Sequence, residues 1–506
     1  VQNRYLPYLL SLLLLLSLVL LASGRWFHQL SLVDQVRADG ELVVVLKSSP
    51  SAVQHSSTGP VGLEFDLIKA FARELGVPVR LVLADSSSEV KQALVSGKAH
   101  LGATRLSTMD QQRSGIRATE PYLFVESKLI YRFGREKPDS LESIAAKGGR
   151  IGVAKDGPHA ARLRTLSEGP GSQGEPAGDA YEPYNGLEGL QWEEMDVYAD
   201  ELLYLVWSEE LQYALVEAGE LQISQQYYPE LRTAFKLDNQ DALVWAFPET
   251  EDSSLFNAAS DFLFAIQNNG TLSQLQELYY GHLGSFDYVD VRTFLRHITN
   301  RLPRYRDIFQ QAGEQHGLDW RLLAALSYQE SHWDPQAVSV TGVRGLMMLT
   351  QATAGELGVD RLDPAESIEG GARYLRSMRD RLPEHIEEPV RSWFALAAYN
   401  VGLGHLEDAR RLAANRDRNQ DNWTDVKEHL RLLSDPAWYS KTRHGYARGW
   451  EPVAHVTKVR AYYDLLVRIT ELPEPNALEE ELPGTRTFRE LYDMTAPLGG
   501  SGESAL

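Results

Sequence analysis

Cysteine is absent from all 506 residues. That excludes disulfides, thiol nucleophiles and thiolate metal sites, and it suits an oxidising compartment. It also excludes a lipid-modified N-terminal cysteine, so any membrane attachment must come from the polypeptide itself. A basic excess is missing too. Fifty Lys and Arg stand against 70 Asp and Glu, for a formal net charge of −20. A nucleic-acid binder needs a basic face for phosphates, so that class is set aside. The 13 His show no paired metal-ligand spacing with carboxylates, and no P-loop glycine pattern occurs, so neither metal nor cofactor is expected. What is present is a globular composition, 43% hydrophobic and 24% charged. The length calls for two or three folded units.

Arg4 precedes the uncharged stretch "YLPYLLSLLLLLSLVLLASG", which ends before Arg25. Residues 1–24 read as a signal peptide, with Ala22-Ser23-Gly24 as the cleavage region, or as an uncleaved membrane anchor. Either way the remainder is expected outside the cytoplasm.

"GELVVVLKS" (Gly40 to Ser48) reads as a buried strand, and Gly62 to Ala84 as a helix stopped by Gly76 and Pro78, then a strand. Ser86 to Thr104 repeats helix and strand. This alternation predicts an α/β unit with a largely parallel sheet. Lys137 to Leu163 starts a second α/β lobe, and Ser167 to Glu188 reads as a solvated loop. Two amphipathic helices over Asp252 to Gly281 close the region. From about Val291 to about Leu472 only helical patterns follow. The tail from Glu474 is too poor in apolar residues to build a core.

"GELVVVLKSSP", "GLEFDLIKAFARELGVPVRLV", "ALVSGKAHLGAT", "TEPYLF" and "FNAASDFLFAIQNNGTLSQLQELYYG" together resemble the periplasmic solute-binding proteins of the amino-acid-binding type. The resemblance covers residues 33–283. It implies two α/β lobes around a ligand cleft that close by a hinge. An Arg clamps the ligand carboxylate in that family. The aligned position here is Gln112, with Arg113 one residue away. Asp66, Thr104 and Arg113 are therefore the candidate cleft contacts, for muropeptides or amino acids.

Asp319 is a plausible N-cap, and Leu323, Leu326 and Glu330 share one helical face by their spacing. A carboxylate beside an apolar stripe is partly desolvated. Desolvation is expected to raise its pKa and leave it a proton for general-acid work. The alternative at this point is a solvated surface Glu.

"ALSYQESHWDPQAVSVTGVRGLMMLT", "SIEGGARYLRSM" and "FALAAYNVGLGHL" resemble the lytic transglycosylases of the lysozyme superfamily. With the N-terminal region, "FDYVDVRTFLRHI" and "YSKTRHGYARGWEPVAHV", the whole chain is similar to the membrane-bound lytic murein transglycosylase F subfamily. The implied organisation is a two-lobed α/β periplasmic-binding-protein-like regulatory domain over 33–283, a mainly α lysozyme-like domain over 284–472, and a disordered tail over 473–506. The implied activity is that of a carbon–oxygen lyase. It cleaves the MurNAc-β-1,4-GlcNAc bond of peptidoglycan glycan strands and leaves 1,6-anhydromuramoyl ends. Glu330 becomes the single catalytic acid and base. Ser339, Met348, Tyr399, Asn400 and His455 become substrate-cleft residues. Gly342, Gly345, Gly402 and Gly404 allow sharp turns or close approach to sugar, and Met347 fills a gap or meets a sugar face. The chain departs from many members at Met348 (Gln there), Thr350 (Met) and His455 (Tyr, which contacts the catalytic carboxyl). The resemblance implies a cell-envelope protein on the periplasmic face, peripheral to the outer membrane, or held in the inner membrane by its leader. The competing readings are a lysozyme-type hydrolase and a non-catalytic peptidoglycan- or solute-binding protein.

Overall fold

The structure is a computed structural model. It describes residues 30–47, 54–56, 59–84, 87–105, 115–155, 157–168, 187, 189–225, 228–283, 288–339 and 342–471. The leader, Arg113, Gln112, most of the 167–188 loop and the tail expected over 473–506 lie outside the described residues.

The described chain divides into two compact units. The first gathers residues up to Lys47, Leu67–Tyr122 and Val244–Ala265. It holds α1 (Leu32–Asp39), β1 (Leu42–Lys47), most of α2 (Leu63–Leu75), β4 (Val79–Ala84), α3 (Ser87–Val95), β5 (Leu101–Arg105), β6 (Ile116–Ala118) and most of α8 (Ser254–Asn268). The short pair β2 (Gln54–Ser56) and β3 (Gly59–Val61) belongs to the second unit. In the first, β1 lies between β4 and β5, parallel to both, with Val44 opposite Leu81 and Leu101. Val43, Val45, Val90, Leu94 and Ile116 form its core. A second apolar cluster forms where Trp245 stacks on Phe262, with ring centroids 5.8 Å apart, and tilts against Phe71 at 5.4 Å.

The second unit gathers Ser48–Asp66, Leu123–Leu243 and the described residues from Ile266 onward. Its α/β part comprises β7 (Leu123–Arg132), α4 (Leu141–Ala146), β8 (Arg150–Ala154), α5 (Pro158–Glu168), β9 (Gln191–Met195), α6 (Ala199–Trp207), β10 (Tyr213–Glu217), α7 (Ala218–Gln225), the first part of β11 (Leu231–Pro248) and α9 (Thr271–Tyr280). The strand order is β11-β7-β10-β8-β9. Strands β8, β9 and β10 run parallel, but β7 is antiparallel to both β10 and β11. The largely parallel sheet expected from helix–strand alternation is thus mixed. The antiparallel strands are long connectors outside that alternation. β11 is interrupted by the polar run Lys236 to Asp241, and its register against β7 shifts there, so it has no clean apolar signature.

The helical part comprises α10 (Tyr288–Asn300), α11 (Arg306–His316), α12 (Trp320–Ser331), α13 (Gln351–Leu357), α14 (Pro364–Asp380), α15 (Val390–Val401), α16 (Leu403–Ala414), α17 (Trp423–Leu432), α18 (Pro436–Tyr439) and α19 (Trp450–Glu471). α12 is central. Leu323 to Ser327 are fully buried, and the helix packs on α11, α14 and α19. Phe294, Tyr328, Trp333 and Tyr462 form an aromatic cluster with centroids 4.5 to 5.6 Å apart. One apolar core runs from Ile130 and Val216 of the sheet and Leu203 of α6 through Phe294 to the α12–α19 interface.

A buried ion network ties α9 to α19 inside this unit. The Arg460 guanidinium donates to Glu277 Oε1 at 2.9 Å and to the carbonyls of Glu277 and Leu278 at 2.6 and 3.1 Å. It lies 3.8 Å from the Trp393 ring centroid. Lys427 takes the other Glu277 oxygen at 2.6 Å, and His282 bridges to Asp464 at 2.5 Å. Arg460 and Glu277 are 5% and 7% exposed, so the pair is desolvated. A desolvated pair is costly to break by removing one partner.

Candidate active site

Glu330 sits in the last turn of α12. Asp319 caps the helix start, accepting from the Arg321 amide at 2.8 Å. The helix ends before Pro335, because His332 and Trp333 both take left-handed backbone angles, φ 51° and 55°. Such angles are unfavourable for bulky side chains and persist only where surroundings hold them. Here the buried Trp333 indole donates to the Ala324 carbonyl at 2.9 Å, and Arg301 donates to the His332 carbonyl at 2.8 Å. The chain is thereby turned sharply away, leaving the Glu330 carboxylate 16% exposed at the helix end.

Glu330 Oε1 lies 2.8 Å from His455 Nε2 on α19. The imidazole is 5% exposed, and its Nδ1 is buried with no hydrogen-bond partner among the described residues. An orphan N–H is rarer in a buried setting than an orphan acceptor. The tautomer with hydrogen on Nε2 is therefore favoured, donating to the carboxylate. Oε1 is then occupied, and Oε2 is the oxygen left to carry an acidic proton.

The turn after Glu330 is held by serines. Ser327 and Ser331 both donate to the Leu346 carbonyl, at 3.1 and 2.9 Å, and Ser367 accepts from the Met347 amide at 3.2 Å. Ser331, next to Glu330 in the quoted motif, is thus a buried strut for the Gly345-Leu346-Met347 turn. Gly345 has φ 90°, and a Cβ there would collide with the Arg361 carbonyl oxygen, so only glycine fits. The Gly-Gly pair of α14 has a packing reason as well. A Cβ on Gly371 would lie 2.6 Å from Met347 side-chain atoms. Met347 is fully buried, which makes it the gap-filler of the two methionines. Met348 is half-buried with a left-handed φ of 46°.

Tyr399 and Asn400 end α15. The Tyr399 hydroxyl donates to the Met347 carbonyl at 2.7 Å, and its ring meets Tyr374 edge-on at 5.1 Å. Burial, and then the Glu330 charge, push its pKa well above the usual tyrosine value. Its hydroxyl is thus a structural donor near the acid. Asn400 is exposed. Ser339 lies in a tight turn, accepting from the Val343 amide at 2.9 Å beside the Val338–Arg344 bridge. The serine struts escaped the sequence reading, although Ser331 and Ser367 lie inside the quoted motifs. Their signal was adjacency to Glu330 and to Gly370-Gly371.

Of the proposed ligand-cleft residues, Asp66 accepts from the Tyr279 hydroxyl at 2.5 Å, and the Tyr279 hydroxyl oxygen in turn accepts from the Gly62 amide at 3.1 Å. Thr104 lies in β5. Arg113 is outside the described residues.

The chain matches the family described as "Transglycosylase SLT domain" over residues 307–422 and "Bacterial extracellular solute-binding proteins, family 3" over residues 42–282. It is 48% identical to a protein of Alkalilimnicola ehrlichii named "Membrane-bound lytic murein transglycosylase F 1", over 87% of this chain and 86% of the relative. The chain belongs to the membrane-bound lytic murein transglycosylase F family. Relatives of that name in Marinobacter nauticus and Pseudomonas fluorescens are 44% and 42% identical, covering 92% and 88% of this chain and 89% of each relative. In this member of the F family, α12 and the Glu330–His455 pair both lie in the helical part, α12 inside the Transglycosylase SLT match and His455 beyond its end. The α/β elements from β1 to α9 coincide with the solute-binding match.

Proposed function

We propose that this chain is a peptidoglycan lytic transglycosylase that uses Glu330 as its one acid and base. The observation that carries the reading is a helix-end carboxylate, mostly buried, held at 2.8 Å by an imidazole that can stabilise it as an anion. Two-carboxylate glycosidases set a base or nucleophile about 5–9.5 Å from the acid. In this reading Glu330 works without one and recovers its own proton.

The steps follow. Glu330 Oε2–H protonates the oxygen of the MurNAc-β-1,4-GlcNAc bond, and the C1–O bond breaks. C1 gains oxocarbenium character, supported by the N-acetyl group of the same sugar. The Glu330 carboxylate then removes the proton of the C6 hydroxyl, whose oxygen closes on C1. The product is a 1,6-anhydromuramoyl end, no water is consumed, and Glu330 is protonated again. His455 stabilises the carboxylate between the two proton transfers by its charge-assisted bond. Met348, Ser339, Asn400 and the face of Tyr399 line the sugar cleft in this reading.

The domain assignment goes with it: 33–283 as a ligand-sensing, non-catalytic domain and 284–472 as the lytic domain. Muropeptides or amino acids are its ligands, with Asp66, Thr104 and Arg113 as contacts. The family name supports association with the cell envelope. The periplasmic face, peripheral to the outer membrane, is the finer placement we propose. Among the described residues no helix is long and apolar enough to cross a membrane. Mass spectrometry of muropeptides released from purified sacculi tests the reading. Anhydro ends, lost in Glu330→Gln, support it, whereas reducing ends identify a hydrolase.

A further inference from the structure

The segment that leads into α19 carries a feature the chemistry above leaves unused. In a chain of net charge −20, Trp438–Trp450 contains Lys441, Arg443 and Arg448, no Asp or Glu, and the aromatics Trp438, Tyr439, Tyr446 and Trp450. Tyr446 and Trp450 are each 56% exposed. A cationic loop is most often a solvated face, but this one is fixed from beneath. Asp408, 2% exposed, accepts from the Arg443 and His444 amides at 3.3 and 2.7 Å and faces His444 Nδ1 at 3.1 Å. The Ala447 amide donates to the Leu433 carbonyl at 3.0 Å. Tyr446 is braced edge-on by Tyr439 at 5.6 Å. Two large rings are therefore held outward on a rigid support. A ring presented this way loses little conformational freedom when something stacks on it.

The loop adjoins elements of the proposed site on two sides. Trp450 begins the helix that carries His455, five residues and roughly 7.5 Å of helix rise away. On the other side, a Cβ on Gly404 would lie 2.7 Å from the His444 imidazole. The loop therefore packs on the turn that follows Asn400.

We infer that Tyr446, Trp450 and Arg443 form a second binding surface for the peptidoglycan strand, in which sugar rings away from the scissile bond stack on the two aromatics and stem-peptide carboxylates pair with Arg443. This inference rests on the transglycosylase reading. The chemistry fits the occupant. Pyranose rings present apolar C–H faces to aromatic rings, a guanidinium pairs with carboxylates bidentately, and the loop's positive charge opposes an acidic polymer. Arg448 is engaged by Glu451 at 2.7 Å, and Lys441 lies 5.2 Å from the Trp438 ring. Arg443 is the exposed cation assigned to the peptide.

The test uses the full-length chain. In a Glu330→Gln background, which leaves the polymer intact, sedimentation with purified sacculi reads affinity. The Tyr446→Ala/Trp450→Ala pair is expected to weaken binding by about tenfold or more, as loss of two aromatic anchors does. In the active chain the same pair raises KM and leaves kcat unchanged. Arg443→Gln weakens binding to peptide-bearing strands and leaves binding to peptide-stripped strands unchanged. Wild-type affinity in the double aromatic variant overturns the inference. If the double variant melts early, Tyr446→Phe/Trp450→Phe decides. Ring-retaining variants that bind like wild type support stacking, and ones that fail to bind overturn it. Reducing ends from the wild-type enzyme would overturn the transglycosylase reading instead, a result distinct from any change in binding.

Discussion

Arg460→Met isolates the α9–α19 tie. The substitution keeps most of the side-chain volume and removes the guanidinium. Glu277 then loses one of its two cationic partners in a site where both side chains are under one-tenth exposed. The carbonyls of Glu277 and Leu278 lose their donor, and Trp393 loses its cation. Breaking a buried ion pair from one side costs about 3–5 kcal/mol. Lys427 remains on Glu277 Oε2 at 2.6 Å, so the low end applies, about 3 kcal/mol. At about 2–4 °C per kcal/mol, the melting temperature of the second unit should fall by roughly 6–12 °C. Circular dichroism during heating reads this directly. Adding Glu277→Leu should recover much of the loss, because the stranded carboxylate is then gone. The exposed Arg376–Asp380 pair, 40% and 52% exposed, is the control, and Asp380→Ala, which leaves the Arg376 bond to the His316 carbonyl in place, should cost under about 1 kcal/mol. An Arg460→Met chain that melts within about 1 °C of wild type would refute the reasoning.

Two further outcomes are expected. His455→Phe removes the hydrogen bond to Glu330 and should lower kcat on sacculi by about tenfold to a hundredfold, the worth of a bond to a charged group, whereas His455→Gln should lose less. Burial first, then Arg301 and Arg296, lower the His297 pKa from 6.5 to about 4. The unfolded chain therefore binds this proton more readily, and stability present above pH 6.5 should decline as the pH falls towards 4. In His297→Gln, urea midpoints measured across that window should show a shallower decline.

Much of the architecture was legible because it is local. Gly62 to Ala84 announced a helix and a strand through period and punctuation, and Asp319 announced the start of α12. The helical face of Glu330 was legible for the same reason, through the spacing of Leu323 and Leu326, whereas the acid role proposed for it rests on the resemblance of the surrounding motifs. What escaped depends on partners far away in sequence. The Glu277–Arg460 pair spans 183 residues, and each looks like an ordinary surface charge until the fold buries it. The reason for Ser331 and Ser367 was also hidden, since their partners are backbone atoms of a turn whose path the sequence does not specify. β7 and β11 lacked a signal because their polar interruptions break the alternation. His455 was visible only by its place in a motif. Its bond to Glu330 across 125 residues is a tertiary fact.

The most direct measurement is the mass of the muropeptides that this chain and its Glu330→Gln variant release from purified sacculi. The account predicts fragments one water lighter than reducing-end products from the wild type, and none from the variant. Anhydro fragments from the variant at the wild-type rate, or reducing ends from the wild type, would contradict it.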